Sequence, residues 1–242
     1  MKTLLNLQML INMLDEIVEK TKERVEMAKS ILPLEDIKKQ VSLLEISDEF
    51  PFKKALGGDD ISIIAEVKKA SPSKGLIAED FDYLAIAKEY EAAGASAISV
   101  LTEPYFFQGS DEYLEEIAKE VSIPVLRKDF IVDEYMIWEA KMLGASAVLL
   151  IVSILDVVQL RKYLDLAHEL GLSAIVEAHD GDEIMRAMIV GAEIIGVNNR
   201  NLQDITVDIE NSINLRRCVS GDVIFISESG IKTHEDIQIK RK

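Results

Sequence analysis

The sequence predicts an α/β fold of the TIM (β/α)8-barrel type over residues 61–242, with an N-terminal helical extension over residues 1–60 and without an eighth strand and helix. Three observations lead there. From Ile61 onward, short apolar runs of strand length alternate with stretches of helical periodicity, the order of a repeated βα unit. The runs are almost continuously apolar, as in parallel strands covered on both faces. Several helical stretches end in glycine just before the next strand, at Gly94, Gly144, Gly171 and Gly191, where the chain needs a left-handed cap. Repetition over this length favours a barrel over an open sheet.

The elements follow in order. Lys2 and the run Leu4, Leu5, Leu7, Met9, Leu10, Ile11, Met13 and Leu14 resemble the start of a secretory signal. Asn6, Gln8 and Asn12 interrupt that run, and it passes straight into DEIVEKTKERVEMAKSI, with Ile17, Val18, Val25 and Ile31 among charges. The expectation is an amphipathic helix, too short and too interrupted to span a bilayer. A second helical stretch, Leu34 to Leu44, ends before Phe50 and Pro51. Strands are expected at 61–67, 97–101, 124–126, 147–152, 174–176, 194–197 and 223–226. Helices are expected between them at 83–93, 134–143, 157–170 and 182–190. Seven strands leave about 26 residues per unit, against ~31 in a barrel of roughly 250 residues. After Ile226 the chain reads SESGIKTHEDIQIKRK, with no further apolar run.

Composition narrows the function classes. Lys plus Arg number 27 and Asp plus Glu 43, a formal charge of −16, while hydrophobic residues make up 48%. The chain is too apolar to be a disordered acidic segment. It is also too acidic for a general nucleic-acid binder, whose surface must neutralise phosphates. No nucleic-acid or membrane partner is expected, whereas a small anion in a locally positive pocket fits. Cys218 is the single cysteine, so an intrachain disulfide and a cysteine-based zinc site are excluded. The expected compartment is the cytoplasm.

Polar residues follow nearly every strand: Glu66 and Lys68, Glu103, Lys128, Glu177, then Asn198, Asn199 and Arg200, and finally Glu228 and Ser229. In a parallel barrel these ends converge on one face, where active sites are built. Lysines and carboxylates crowded there are costly unless they pair or serve a substrate. Together they allow proton transfer in both directions. His168, His179 and His234 have no serine elbow, and His168-Glu169 lacks the second histidine of a zinc-protease helix, so no metal site is expected. His179, close to Glu177, reads as structural or as a support of the site. Ser71-Pro72-Ser73-Lys74-Gly75 after the first strand and Ser229-Gly230 after the seventh suit a phosphate, the latter by opening a helix. Phe106, Phe107 and Phe130 lie beside these loops, either as an apolar wall for an aromatic substrate or as core.

Six ordered motifs carry a resemblance. They are IIAEVKKASPSKG (63–75), LTEPYFFQGS (101–110), PVLRKDFIVDEY (124–135), VEAHD (176–180), IIGVNNRNL (194–202) and ISESGIKT (226–233). From about Met13 to His234 the chain resembles indole-3-glycerol phosphate synthase. The resemblance implies ring closure of 1-(2-carboxyphenylamino)-1-deoxyribulose 5-phosphate to indole-3-glycerol phosphate, carbon dioxide and water, in tryptophan biosynthesis, without metal or organic cofactor. By motif position it implies Lys128 as principal general acid. Lys68 would hold the substrate carboxylate and donate during dehydration, Glu177 would be the acid/base partner, and Glu66 would orient lysine and substrate. Ser71, Asn198 and Arg200 would contact substrate, with Glu228 in the same polar network. Phe107 and Phe130 would wall the anthranilate ring, and Ser229 and Gly230 would hold the phosphate.

Three departures accompany the resemblance. Residues 1–12 are extra, with Met13 the expected translation start. The usual Asn-Arg-Asp reads Asn-Arg-Asn, ending at Asn201. The eighth βα unit, whose loop would complete the phosphate site, is expected to be missing. Two readings therefore stand: an active synthase, or a truncated, weakly active or inert remnant acting only as an interaction protein. Open barrel edges would invite self-association in either case.

Overall fold

The computed structural model describes residues 2–58, 60–200, 206–219, 221–231, 233 and 235–237, with side chains described from Met13 onward. Asn201, His234 and the side chains of residues 1–12 lie outside the described part. Three helices come first: α1 (Lys2–Ile31), α2 (Leu34–Val41) and α3 (Pro51–Leu56). Strand β1 (Ile64–Val67) leads into a small antiparallel hairpin, β2 (Ala70–Ser71) and β3 (Gly75–Leu76). Then βα units alternate: α4 (Tyr83–Ala92), β4 (Ala97–Leu101), α5 (Asp111–Glu120), β5 (Val125–Lys128), α6 (Glu134–Met142) and β6 (Ala147–Ile151). The series continues with α7 (Val157–Glu169), β7 (Ser173–Ala178), α8 (Gly181–Ile189), β8 (Ile194–Asn198), α9 (Glu210–Leu215) and β9 (Ile224–Glu228). The sheet order is β1-β4-β5-β6-β7-β8-β9, every neighbouring pair parallel. Among the described residues, an eighth parallel strand joining β9 to β1 is not present.

Local chemistry explains why the units repeat. Each of five helices opens on a side-chain acceptor that satisfies a first-turn amide: Asp82, Ser110, Asp133, Asp156 and Asp180 for α4 to α8. At the other end, Gly94, Gly144, Gly171 and Gly191 all have positive φ, between 70° and 89°. Gly171 is constrained twice, because a Cβ there would also meet the Ser47 carbonyl oxygen at 2.4 Å. The expected second helix stops at Val41 instead of Leu44: Leu43 and Leu44 are exposed, so no burial holds a further turn. Strands β5, β7 and β9 run further toward their carboxyl ends than their apolar runs do, because the ladder pairs Arg127, Lys128, Glu177 and Glu228 through backbone alone. Acidic α5 buries Leu114 and Ile117, a stripe too narrow to stand out in sequence.

Alternation along the strands divides the core into two layers. Facing outward, Ile98, Val100, Val148, Leu150, Val176 and Ile195 pack under the helices. Facing inward, Leu126, Leu149, Ile175 and Ile194 join Phe52 and Leu56 of α3, which plug the amino-terminal end. At the opposite end the inward positions become polar, and that boundary sets where the site lies.

The N-terminal helices are tied to the sheet by charge as well as packing. Arg24 Nη2 of α1 donates to Asp129 Oδ1 at 2.8 Å, and its Nη1 donates to the Thr102 carbonyl at 3.2 Å. Lys29 pairs with Asp133 at 2.8 Å, and Tyr135 Oη donates to the Leu32 carbonyl. The Asp129 carboxylate is wholly buried; burial alone would raise its pKa, but Arg24 and Arg127 hold it below the usual carboxylate range. Removing one partner of such a pair leaves an uncompensated charge. Arg24→Ala is therefore expected to lower the unfolding free energy by about 3 kcal/mol, read from urea titrations. An unchanged midpoint would refute the clasp.

Candidate active site

Inward-facing polar side chains cluster where the strands end. Glu66 on β1, Lys128 on β5, Glu177 on β7, Asn198 on β8 and Glu228 on β9 all line one open cavity of ≈ 1420 Å³, with Lys68 just past β1. The register brings them together: Glu177 pairs across from Gly196, and Asn198 from Glu228. Below this polar rim the cavity is lined by Leu126, Ile175 and Ile226, so charge at the mouth rests on an apolar floor.

Lys128 is the hub. Its Nζ donates to Glu228 Oε2 at 2.7 Å and to Glu177 Oε2 at 3.2 Å. Burial would lower the lysine pKa, but Glu228, Glu177 and Glu66 outweigh it and hold the ammonium above its ordinary range. Burial would raise Glu177, but Lys128 and His179 pull it well below the carboxylate range. Glu228 is the odd carboxylate: burial and the neighbouring Glu177 push it up to about 7, against the pull of Lys128. Its Oε1 is buried and makes no hydrogen bond. Lys68 forms a further ion pair with Glu66. One ammonium thus lies between a firmly ionised carboxylate and one that titrates near neutrality, an arrangement suited to giving and retaking a proton.

The surroundings fix these groups. A Cβ on Gly196 would stand 2.1 Å from Glu228 Oε1, so this glycine makes the space in which Glu228 reaches Lys128. Asn198 Nδ2 donates to Glu177 Oε1 at 3.4 Å, and Asn198 Oδ1 accepts from Ser229 Oγ at 2.8 Å and from the Arg200 amide at 3.0 Å. Phe107 and Phe130 face each other with ring centroids 6.0 Å apart, and both line the cavity. Ser71, Ser73, Lys74, Arg200, Ser229 and Gly230 line it too. Ser71 Oγ lies 3.4 Å from Ser73 Oγ where the hairpin turns, while Ser229 and Gly230 both take positive φ.

All the candidate residues Glu66, Lys68, Ser71, Phe107, Lys128, Phe130, Glu177, Asn198, Arg200, Glu228, Ser229 and Gly230 therefore border the same cavity. Three neighbours named on the same pattern do otherwise. Glu103 turns back on its own loop, accepting from the amides of Tyr105, Phe106 and Phe107 at 2.7–3.0 Å; it shapes the loop that carries Phe107. Asn199 ties loops, donating to Ser227 Oγ and the Ser229 carbonyl and accepting from the Ser212 amide. Phe106 is not part of the cavity wall. Sequence reasoning passed over Asp129 and Gly196, although a glycine inside an apolar strand signals close approach of another group. Cys218 is exposed on a short 3-10 turn. Among the described residues, no three His, Cys, Asp or Glu side chains are grouped to hold a metal ion, and no helix is long and apolar enough to cross a membrane.

Known proteins match this chain closely. The family model described as indole-3-glycerol phosphate synthase matches residues 14–242. An indole-3-glycerol phosphate synthase of Ruminiclostridium cellulolyticum is 53% identical over 229 residues, covering 95% of this chain and 88% of that protein. One from Endomicrobium trichonymphae is 55% identical over 226 residues, covering 93% and 88%. Among solved structures, N-acetylmannosamine-6-phosphate 2-epimerase from Clostridium perfringens superposes with TM-score 0.56 at 16% identity, covering 74% of this chain and 80% of its own. The YdjI aldolase from Escherichia coli K12 superposes with TM-score 0.54 at 17% identity, covering 81% and 77%. These two likenesses speak to the barrel fold alone.

The raised Glu228 pKa has a stability consequence. The native state binds this proton up to about pH 7, whereas the unfolded chain releases it near pH 4.5, so Glu228 costs stability progressively as pH rises through that window. Glu228→Gln removes the titration. Relative to the parent chain, it is expected to gain about 3 kcal/mol between pH 4.5 and pH 8, measured by urea unfolding at both. A constant difference would refute the assignment.

Proposed function

The chain belongs to the indole-3-glycerol phosphate synthase family, and from that premise we propose that this chain itself closes the indole ring of 1-(2-carboxyphenylamino)-1-deoxyribulose 5-phosphate, releasing carbon dioxide and water. The observation that carries the reading is the Lys128 ammonium held between Glu177 and Glu228 at the mouth of the cavity. Lys128 protonates the C2′ carbonyl oxygen as the ring carbon bearing the carboxylate attacks C2′. Loss of carbon dioxide returns its electron pair to the ring. Lys68 then protonates the C2′ hydroxyl, which leaves as water, while Glu177 accepts the remaining proton and the indole forms. Glu66, paired with Lys68, orients it toward the substrate carboxylate.

The electrostatics support this division of labour. Two carboxylates hold the Lys128 proton tightly in the resting site. A proton on Glu228 weakens that hold, and a pKa near 7 makes this accessible at neutral pH. Phe107 and Phe130 offer an apolar wall to the anthranilate ring, which keeps water from the condensation. Ser71, Ser229, Gly230 and Arg200 supply donors and charge for the phosphorylated chain, and Asn198 contacts its hydroxyls. An acidic protein acting on a small phosphorylated metabolite fits the cytoplasm.

Relatives about half identical over most of the chain support the synthase over a binding remnant. The test is turnover by the purified 242-residue chain, followed by indole fluorescence. Product is expected, and Lys128→Ala is expected to lose about 10²–10⁴-fold in kcat. Near-parental turnover by Lys128→Ala would sink its role as acid, and no product from folded protein would favour the remnant. Among the described residues β1 and β9 have a strand neighbour on one side only, which favours self-association. Sedimentation velocity is expected to show concentration-dependent species larger than a monomer; a single monomeric species up to high concentration would remove this expectation.

A further inference from the structure

His179 follows β7 and stands behind Glu177, on the side away from Lys128, outside the cavity wall. Its ring is nearly buried, with 16% of the side chain exposed, and bridges two carboxylates. Nδ1 lies 3.0 Å from Glu183 Oε2 and Nε2 lies 3.4 Å from Glu177 Oε1. The same Glu183 oxygen accepts the His179 backbone amide at 2.8 Å, so residue and ring are gripped together. A neutral imidazole has one nitrogen without a proton. Nε2 is buried and makes no hydrogen bond, its 3.4 Å approach to Glu177 Oε1 being that of an ion pair, so a lone pair there would face a carboxylate oxygen away from water.

We propose that His179 is a positioning residue: held as an imidazolium between Glu177 and Glu183, it fixes the Glu177 carboxylate, ionised, opposite Lys128. The proposal rests on the synthase reading for the role of Glu177, though not for the charge on His179. Each Glu177 oxygen then has its own cation, Oε2 facing Lys128 and Oε1 facing His179, with Asn198 Nδ2 also at Oε1. Among the described residues, few charged groups surround the ring. Glu177 comes from β7, with Lys128 of β5 and Glu228 of β9 beyond it. Glu183 comes from α8, with Arg186 3.7 Å from its far oxygen and Asp180 accepting its amide. From α9, Asn211 donates to the His179 carbonyl. Burial would lower the His179 pKa, but Glu177 and Glu183 together raise it to about 10. A raised folded-state pKa contributes stability that is complete below about pH 6.5 and lost as pH rises through about 10.

The test has an arm that needs no turnover. In histidine-labelled protein, nitrogen chemical shifts assigned through His179→Gln are expected to report an imidazolium up to pH 8.5. A resonance titrating near pH 6.5 would overturn the proposal. In the kinetic arm, His179→Gln removes a cation from Glu177. The acid limb of the kcat profile is expected to rise by at least one pH unit, and kcat at pH 7 to fall about 10-fold because the Glu177 carboxylate is no longer held opposite Lys128, with KM nearly unchanged. A lower kcat on an unshifted profile would mark a structural role and overturn the proposal. If His179→Gln does not fold, Glu183→Gln keeps the ring and should move its nitrogen shifts toward neutral by pH 8.5; no movement would overturn the clamp. An imidazolium in a parent chain without turnover would remove the synthase reading and leave the clamp standing.

Discussion

Arg127, Lys128 and Asp129 are consecutive charged residues at the end of β5; Arg127 and Asp129 are buried and Lys128 is largely so. Strand alternation sends Lys128 into the cavity and its two neighbours to the opposite face. Each therefore needs its own partners. Lys128 meets Glu177 and Glu228, Arg127 meets Asp111 and Glu139 at 2.7–2.8 Å, and Asp129 meets Arg24 and Thr102. Those partners come from β7, β9, α5, α6, α1 and the loop after β4. Six separate parts of the chain converge to neutralise one tripeptide. An unpaired charge at any of these positions would cost several kcal/mol, so packing of the helices and geometry of the site are one problem.

The arrangement separates structural from chemical charge. Arg127 and Asp129 lie in a closed network that shifts both of them toward their ionised forms, while burial raises the pKa of Glu139 beside Arg127. On the cavity side the balance is left uneven: Lys128 faces two carboxylates, and Glu228 responds by titrating close to pH 7. A mobile proton next to an immobile scaffold is what acid/base chemistry on a carbonyl substrate requires. The helix α1 therefore acts on the site at one remove, since Arg24 neutralises the residue adjacent to Lys128 in the chain.

Much of the fold was legible because burial in a parallel barrel is recorded locally. Near-continuous apolar runs marked the strands, glycine marked the returns from helix to strand, and polar residues at the ends of the runs marked the cavity mouth. Glu66, Lys68, Lys128, Glu177, Asn198 and Glu228 could be named because each follows its own apolar run. The same rule pointed to Glu103 and Asn199, whose side chains serve their own loops instead. A strand-end position tells where a side chain starts; its loop decides where it ends.

By itself the sequence determined the βα order, the face on which chemistry would gather, the acidic character of the chain, and the family to which the motifs point. Those are properties of residue types and short spacings. The pairings were decided in three dimensions. Arg24 and Asp129 are 105 positions apart, Lys128 and Glu228 are 100 apart, and no local pattern links them. The glycine inside β8 signals that some group approaches closely, but no local pattern tells that the group is Glu228, or that His179 is gripped from both sides. The physical reason is that electrostatic energy depends on distance and burial, and only the closed packing of strands and helices sets either one.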